Sequence, residues 1–157
     1  MKYGIIIIVI LLLGVLIYLI PTKIIKKSYK IENVNYFYLS YTKGYAMNSN
    51  VMYRINKDLV ATIKLYGESD EITINVDKSV LKEIEEVSVK YDVQKWNGFK
   101  RRNSMVKDGN SFSLSIEMEN GKEIEASGYA SKPNNFNSFV EEIDKIFIRI
   151  YNENKGD

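Results

Sequence analysis

Cysteine and histidine are both absent from the 157 residues, and proline occurs only twice. Without cysteine the chain has no disulfide, no thiolate nucleophile and no lipobox thiol to acylate. Without histidine it has no imidazole base and no Ser-His-Asp triad, and lacking both it has no Cys or His zinc site. The missing cysteine leaves the redox compartment open. Acidic residues are absent from the first 31 positions: all 20 lie from Glu32 onward, whereas Lys2, Lys23, Lys26 and Lys27 flank the opening apolar run. Beyond those four lysines, 18 basic residues face 20 acids, so the formal charge of +2 belongs to the N-terminal flanks and the rest of the chain is slightly acidic. A nucleic-acid binder needs a basic face to contact phosphates, so this balance argues against nucleic acid as a partner.

What is present is a long apolar opening. Tyr3 to Thr22 is an uncharged run of 20 residues, and a helix of that length rises about 30 Å, the thickness of bilayer hydrocarbon. Fourteen of residues 5–20 are Ile, Leu or Val. At roughly −0.5 kcal/mol each near the helix centre, insertion is favourable by at most about −7 kcal/mol. Polar residues, which would mark one side of a core helix, are missing. The run therefore predicts a transmembrane anchor over residues 1–22, with Gly4, Ile5, Ile10, Leu13, Leu16 and Ile20 among its anchor residues. A cleaved signal peptide is the rival reading, but the exit sequence Tyr18-Leu19-Ile20-Pro21-Thr22-Lys23 lacks the small residues of a cleavage site. Lys23, Lys26, Lys27 and Lys30 follow the span, and the positive-inside rule would hold them in the cytoplasm. An apolar segment starting at residue 4 is nevertheless presented for export as a signal is, and long domains translocate largely regardless of charge. The expectation is a single-pass membrane protein with residues 23–32 as a basic tether and residues 33–157 as one soluble domain, placed outside the cytoplasm.

Period-2 patterning predicts strands over Val34 to Thr42, Val51 to Ile55, Leu59 to Tyr66 and Glu71 to Val76. The breaks Lys43-Gly44 with Asn48 to Asn50, Asn56-Lys57-Asp58, and Gly67 to Asp70 suit an antiparallel meander. The period then becomes 3.6: Asp77 caps a helix whose stripe is Val80, Leu81, Ile84, Val87 and Tyr91. Phe112, Leu114, Ile116 and Met118 alternate with polar residues, Asn120-Gly121 supplies a tight turn with positive φ expected at both centres, and Lys122 to Tyr129 returns antiparallel. A last helix from about Asn135 to Tyr151 carries Phe136, Phe139, Val140, Ile143, Ile146, Phe147 and Ile150 on one side. These elements predict an α+β domain, a mostly antiparallel sheet with two helices packed on one face.

Trp96-Asn97-Gly98-Phe99, Asp108-Gly109, Asn120-Gly121-Lys122, Ser127-Gly128-Tyr129 and Pro133 with Phe136 form a series of signposts. The series resembles a recurrent pattern of small bacterial membrane-anchored domains, in which a Trp-x-Gly-Phe loop precedes a DG-led hairpin and a Pro-started helix. The resemblance spans Val76 to Phe147 and implies a fold without an activity. Lys100-Arg101-Arg102 stands as an insert in that loop, outside the pattern.

Each candidate site has a plainer alternative. Ser40-Tyr41-Thr42-Lys43 has the S-x-x-K spacing, but on a strand those side chains point to opposite faces. Glu117, Glu119, Glu123 and Glu125 offer paired carboxylates for acid-base chemistry, or for calcium without an EF-hand spacing, and equally the pattern of a solvated strand face. No catalytic, metal or cofactor residue is assigned. The remaining candidates form a binding face: Tyr36, Tyr38, Tyr53 and Tyr66 from the aromatic strands, and Trp96, Phe99, Lys100, Arg101 and Arg102 as an aromatic-basic patch for an anionic partner. The function expected is a non-enzymatic interaction module at the membrane surface, binding membrane lipid through its anchor and a protein or cell-envelope partner through its Tyr-rich sheet or an exposed edge strand. A carboxylate-dependent envelope hydrolase is the alternative.

Overall fold

A computed structural model describes residues 29–44 and 49–154. The expected anchor, with Gly4, Ile5, Ile10, Leu13, Leu16 and Ile20, and most of the tether lie outside the described residues. Among the described residues no helix is long and apolar enough to cross a membrane.

The strands are β1 (Val34–Thr42), β2 (Asn50–Ile55), β3 (Val60–Lys64), β4 (Ile72–Asn75), β5 (Phe99–Arg102), β6 (Ser111–Met118) and β7 (Glu123–Tyr129). The helices are α1 (Lys78–Lys90) and α2 (Phe136–Asn154), and a 3-10 turn covers Val93–Trp96. All seven strands join one sheet in the order β4-β3-β2-β1-β6-β7-β5. Every pairing is antiparallel except that of β5 with β7. The expected α+β architecture, a mostly antiparallel sheet with two helices, is thus present.

Alternation along each strand decides the layers. Phe37, Leu39 and Tyr41 of β1, Val51, Tyr53 and Ile55 of β2, and Leu114 and Ile116 of β6 are buried in one core with Leu81 and Ile84 of α1 and Phe139, Ile143 and Phe147 of α2. Each such side chain contributes about 1.5–3 kcal/mol by leaving water, which makes this face the one that holds the domain together. Tyr36, Tyr38, Ser40, Thr42, Ser113, Ser115 and Ser127 alternate with them and form a hydroxyl-rich face on the other side of the sheet.

Local chemistry sets the element ends. Asp77 accepts a hydrogen bond from the Ser79 amide at 2.8 Å, which satisfies one orphan donor of α1. At the β6-β7 turn only Gly121 has a positive φ, of 75°. The expectation of two positive-φ centres is corrected by the hydrogen bonding: Gly121 N–H donates to Met118 O, Met118 N–H donates to Lys122 O, and the Asn120 side chain accepts from Lys122 N–H. That is a type I turn followed by a left-handed glycine, with Asn120 used for its side-chain acceptor.

The chain joins the domain at this same end. Ile31 and Val34 are buried, Glu119 N–H donates to Asn33 O at 2.9 Å, and Val34 N–H donates to the Glu85 carboxylate at 3.1 Å. β1 then carries the chain to the opposite end, where β6 starts, β7 finishes and α2 begins.

Candidate functional site

The segment read as a loop insert, Lys100-Arg101-Arg102, is a sheet edge. Phe99, Lys100, Arg101 and Arg102 pair in parallel with Ala126, Ser127, Gly128 and Tyr129. Four residues of which three are charged show no alternation, so only the backbone pairing with β7 reveals the strand. Alternation across β5 divides its cations: Lys100 and Arg102 lie on the open face, and Arg101 lies on the helix side with Phe99. Lys100 reaches Glu125 at 3.3 Å. Arg101 lies 5.2 Å from the Phe99 ring centroid and Arg102 5.1 Å from that of Tyr129. Among the described residues neither arginine closes onto a carboxylate. Elsewhere on the domain lysines do, as in Lys57–Glu117 at 2.6 Å and Lys78–Glu119 at 2.9 Å.

Beyond Arg102 the chain turns through Asn103 to Asn110, where Met105 is 94% exposed and Val106 39% exposed. The Tyr129 hydroxyl ties this loop to the sheet, donating to the Lys107 carbonyl and accepting from Gly109 N–H at 3.0 Å. Arg101, Arg102 and Lys107 bracket the two exposed apolar residues in sequence, so a basic edge and an apolar tip adjoin.

A hollow of about 420 Å³ lies on the helix side of this corner, lined by the end of α1, the 3-10 turn, Phe99, Arg101 and the residues leading into α2. Lys95 donates to Asp92 at 2.7 Å, and that bond holds the Asp92 carboxyl below its usual range. Lys132 sits 5.3 Å from the Phe136 ring centroid.

The expected binding face is only partly assembled. Tyr36 and Tyr38 lie on the open face with Lys100 and Arg102, but β6 and β7 separate them, about 14 Å of sheet at the usual strand spacing. Tyr66 is exposed in the turn after β3, away from both groups. Tyr53, 1% exposed, and Trp96, 4% exposed, are core residues and are corrected as surface candidates. Tyr53 shares the phase of Val51 and Ile55 and stacks on Phe147, whereas Trp96 packs edge-on against Phe139 at 5.2 Å.

Sequence reasoning missed one polar cluster in the core. Asp144 Oδ1 accepts from the Tyr41 hydroxyl at 2.6 Å and the Tyr53 hydroxyl at 2.9 Å, while Asp144 Oδ2 lies 3.6 Å from Lys43 Nζ. Burial, reinforced by the charge of Asp144, pushes both phenols above the usual tyrosine range and keeps them as donors. The available signal was an acid at position 144 inside the apolar stripe of the last helix. Lys43 is committed to this cluster, and Ser40 points to the open face, so the S-x-x-K spacing brings no nucleophile to a base.

The hairpin acids are dispersed. Glu117 and Glu123 are register partners, but Glu117 pairs with Lys57 and Glu123 accepts from Ser115 Oγ at 2.8 Å. Glu119 pairs with Lys78 and Glu125 with Lys100. Among the described residues no group of three or more acids is placed to hold a metal ion.

The fold places the chain in the class of two-layer α+β domains with one helix-covered sheet face and one open face. No protein-family model matches the chain, and no curated protein matches it at a significant level.

Proposed function

We propose that the chain is a single-pass membrane protein whose α+β domain is a non-enzymatic interaction module, held at the membrane surface by residues 1–22 and facing outside the cytoplasm. Its partner is a protein or cell-envelope component of acidic character, engaged through β5 and the loop Asn103 to Asn110. The observation that carries this reading is the basic edge: among the described residues Arg101 and Arg102 close onto no carboxylate, and the loop that follows them exposes Met105. A sheet edge recognises an extended segment through its backbone, and side-chain charge selects which segment. The same lysine and arginine content also keeps a bare edge from pairing with copies of itself. A carboxylate-dependent hydrolase draws less support, because each hairpin acid is held by a lysine or serine on a solvated surface.

Washing membranes with alkaline carbonate tests the anchor. The full chain is expected to stay in the pellet, and a soluble chain beginning near Lys23 overturns this reading. Protease added to intact cells tests the orientation, with digestion of the domain expected and full protection contradicting it.

A further inference from the structure

We propose that the hollow between β5 and the start of α2 is an anion site that takes a phosphate-bearing ligand. The proposal deepens the binding reading above by naming a ligand class at the same corner.

Three cations from three separate segments line it: Lys95 in the 3-10 turn, Arg101 in β5 and Lys132 in the approach to α2. Asp92 neutralises Lys95, so the surplus charge comes from Arg101 and Lys132. Lys132 Nζ donates only to the neutral Asn137 side chain, at 3.1 Å, and among the described residues has no carboxylate partner. Both cations lie over aromatic rings, Arg101 over Phe99 of the lining and Lys132 over Phe136 at the start of α2. A guanidinium offers paired N–H donors matched to two phosphate oxygens, and an ammonium adds a point charge. Asn134 and Asn135 complete the rim just before α2, and their side-chain amides add neutral donors beside the two cations. The volume of about 420 Å³ exceeds that of a lone ion and leaves room for the organic group bearing the phosphate. A lipid headgroup and a soluble or polymeric phosphate ester share this chemistry.

The chain carries its own reporter, because Trp96 is its sole tryptophan and lines the hollow. Full-length protein in uncharged detergent is titrated with inorganic phosphate while Trp96 fluorescence is followed, with potassium chloride of equal ionic strength as the control. A saturable change is expected with a midpoint of about 1 mM, the affinity of a few charge-assisted hydrogen bonds. Arg101→Glu and Lys132→Glu each raise that midpoint at least about tenfold. Lys64→Glu, the same charge change on β3, leaves it in place. Circular dichroism verifies folding, and Arg101→Gln and Lys132→Gln carry the test where a glutamate variant fails to fold. No saturable change by about 100 mM phosphate, or an unshifted midpoint in the Arg101 and Lys132 variants, overturns the site.

Nanodiscs separate the sources. A phosphate response present in phosphatidylcholine discs and suppressed in phosphatidylglycerol discs assigns the site to anionic headgroups, whereas an equal response in both assigns it to a soluble ester. Failure of phosphate binding while the chain remains in the carbonate pellet removes the pocket and keeps the membrane-held module. The reverse result removes the anchor and keeps the pocket.

Discussion

Tyr53 and Phe147 lie face to face, with ring centroids 4.3 Å apart and planes 2° from parallel. One ring belongs to the second strand and the other to the last helix, so this contact joins elements about 90 residues apart in sequence. Phe37 of the first strand also stacks on Phe147, with ring centroids 5.9 Å apart.

Phe147→Ala removes the ring that both strands pack against and leaves a cavity at the centre of the core. A loss of about 3–5 kcal/mol is expected in urea unfolding at equilibrium, because the transfer and cavity terms add. Phe147→Leu recovers part of it. A loss under about 1 kcal/mol for the alanine variant means that this contact does not hold helix to sheet.

Asp144→Ala removes the acceptor that two buried phenol hydroxyls share. Each unpaired donor costs about 1–3 kcal/mol, whereas Asp144→Asn keeps an acceptor and loses less. Equal losses in the two variants contradict a hydrogen-bonding role for the carboxylate.

The same cluster predicts alkaline sensitivity. Because the folded phenols of Tyr41 and Tyr53 are pushed above the ordinary value of about 10, the unfolded chain releases their protons first as pH rises. Above that pH the unfolded state binds fewer protons than the native one, so stability falls with rising pH and is fully present below it. Chemical unfolding between pH 8 and pH 11 is expected to show this decline, and Tyr53→Phe is expected to flatten it. A wild-type profile that stays level across that range removes the explanation.

Asp77→Ala takes the cap from the first helix and costs about 1 kcal/mol, with Asp77→Ser nearly neutral. Hydrogen exchange localises the effect: faster exchange at Ser79 and Val80 is expected, without change in the last helix.

Gly128→Ala destabilises for a steric reason. A Cβ there meets the Ser131 carbonyl oxygen at 2.1 Å and a Phe112 ring carbon at 2.6 Å, one of them backbone that does not yield. A loss of about 2 kcal/mol or more is expected by thermal unfolding, and an unchanged midpoint contradicts the close approach of β7 to the loop that follows it.

Most of the fold was legible because its elements repeat with clear periods. Phe112, Leu114, Ile116 and Met118 alternate, and Phe139, Ile143, Ile146 and Ile150 recur at helical spacing, so the hairpin and last helix emerge from pattern alone. β5 escaped because Lys100, Arg101 and Arg102 have no apolar partner to alternate with, and an edge strand in parallel pairing draws its support from a segment over 20 residues away. The tyrosines misled for a related reason. Composition marks them as surface-capable, but phase along the strand decides the face, and it puts Tyr36 and Tyr38 on one side and Tyr41 and Tyr53 on the other. The charged corner became visible only in three dimensions, where Arg101 and Lys132, 31 positions apart, line one hollow.

If the proposed basic edge meets the partner, the sheet's two edges must differ in what they touch. A photo-crosslinking side chain is placed at Arg102 on that edge or at Thr73 on the opposite edge strand, and full-length chains are irradiated in native membranes. One discrete adduct is expected from position 102, abolished by Lys100→Glu with Arg101→Glu in the same chain, and none from position 73. Equal labelling from the two edges, or an adduct at 102 indifferent to those charge reversals, contradicts the proposal.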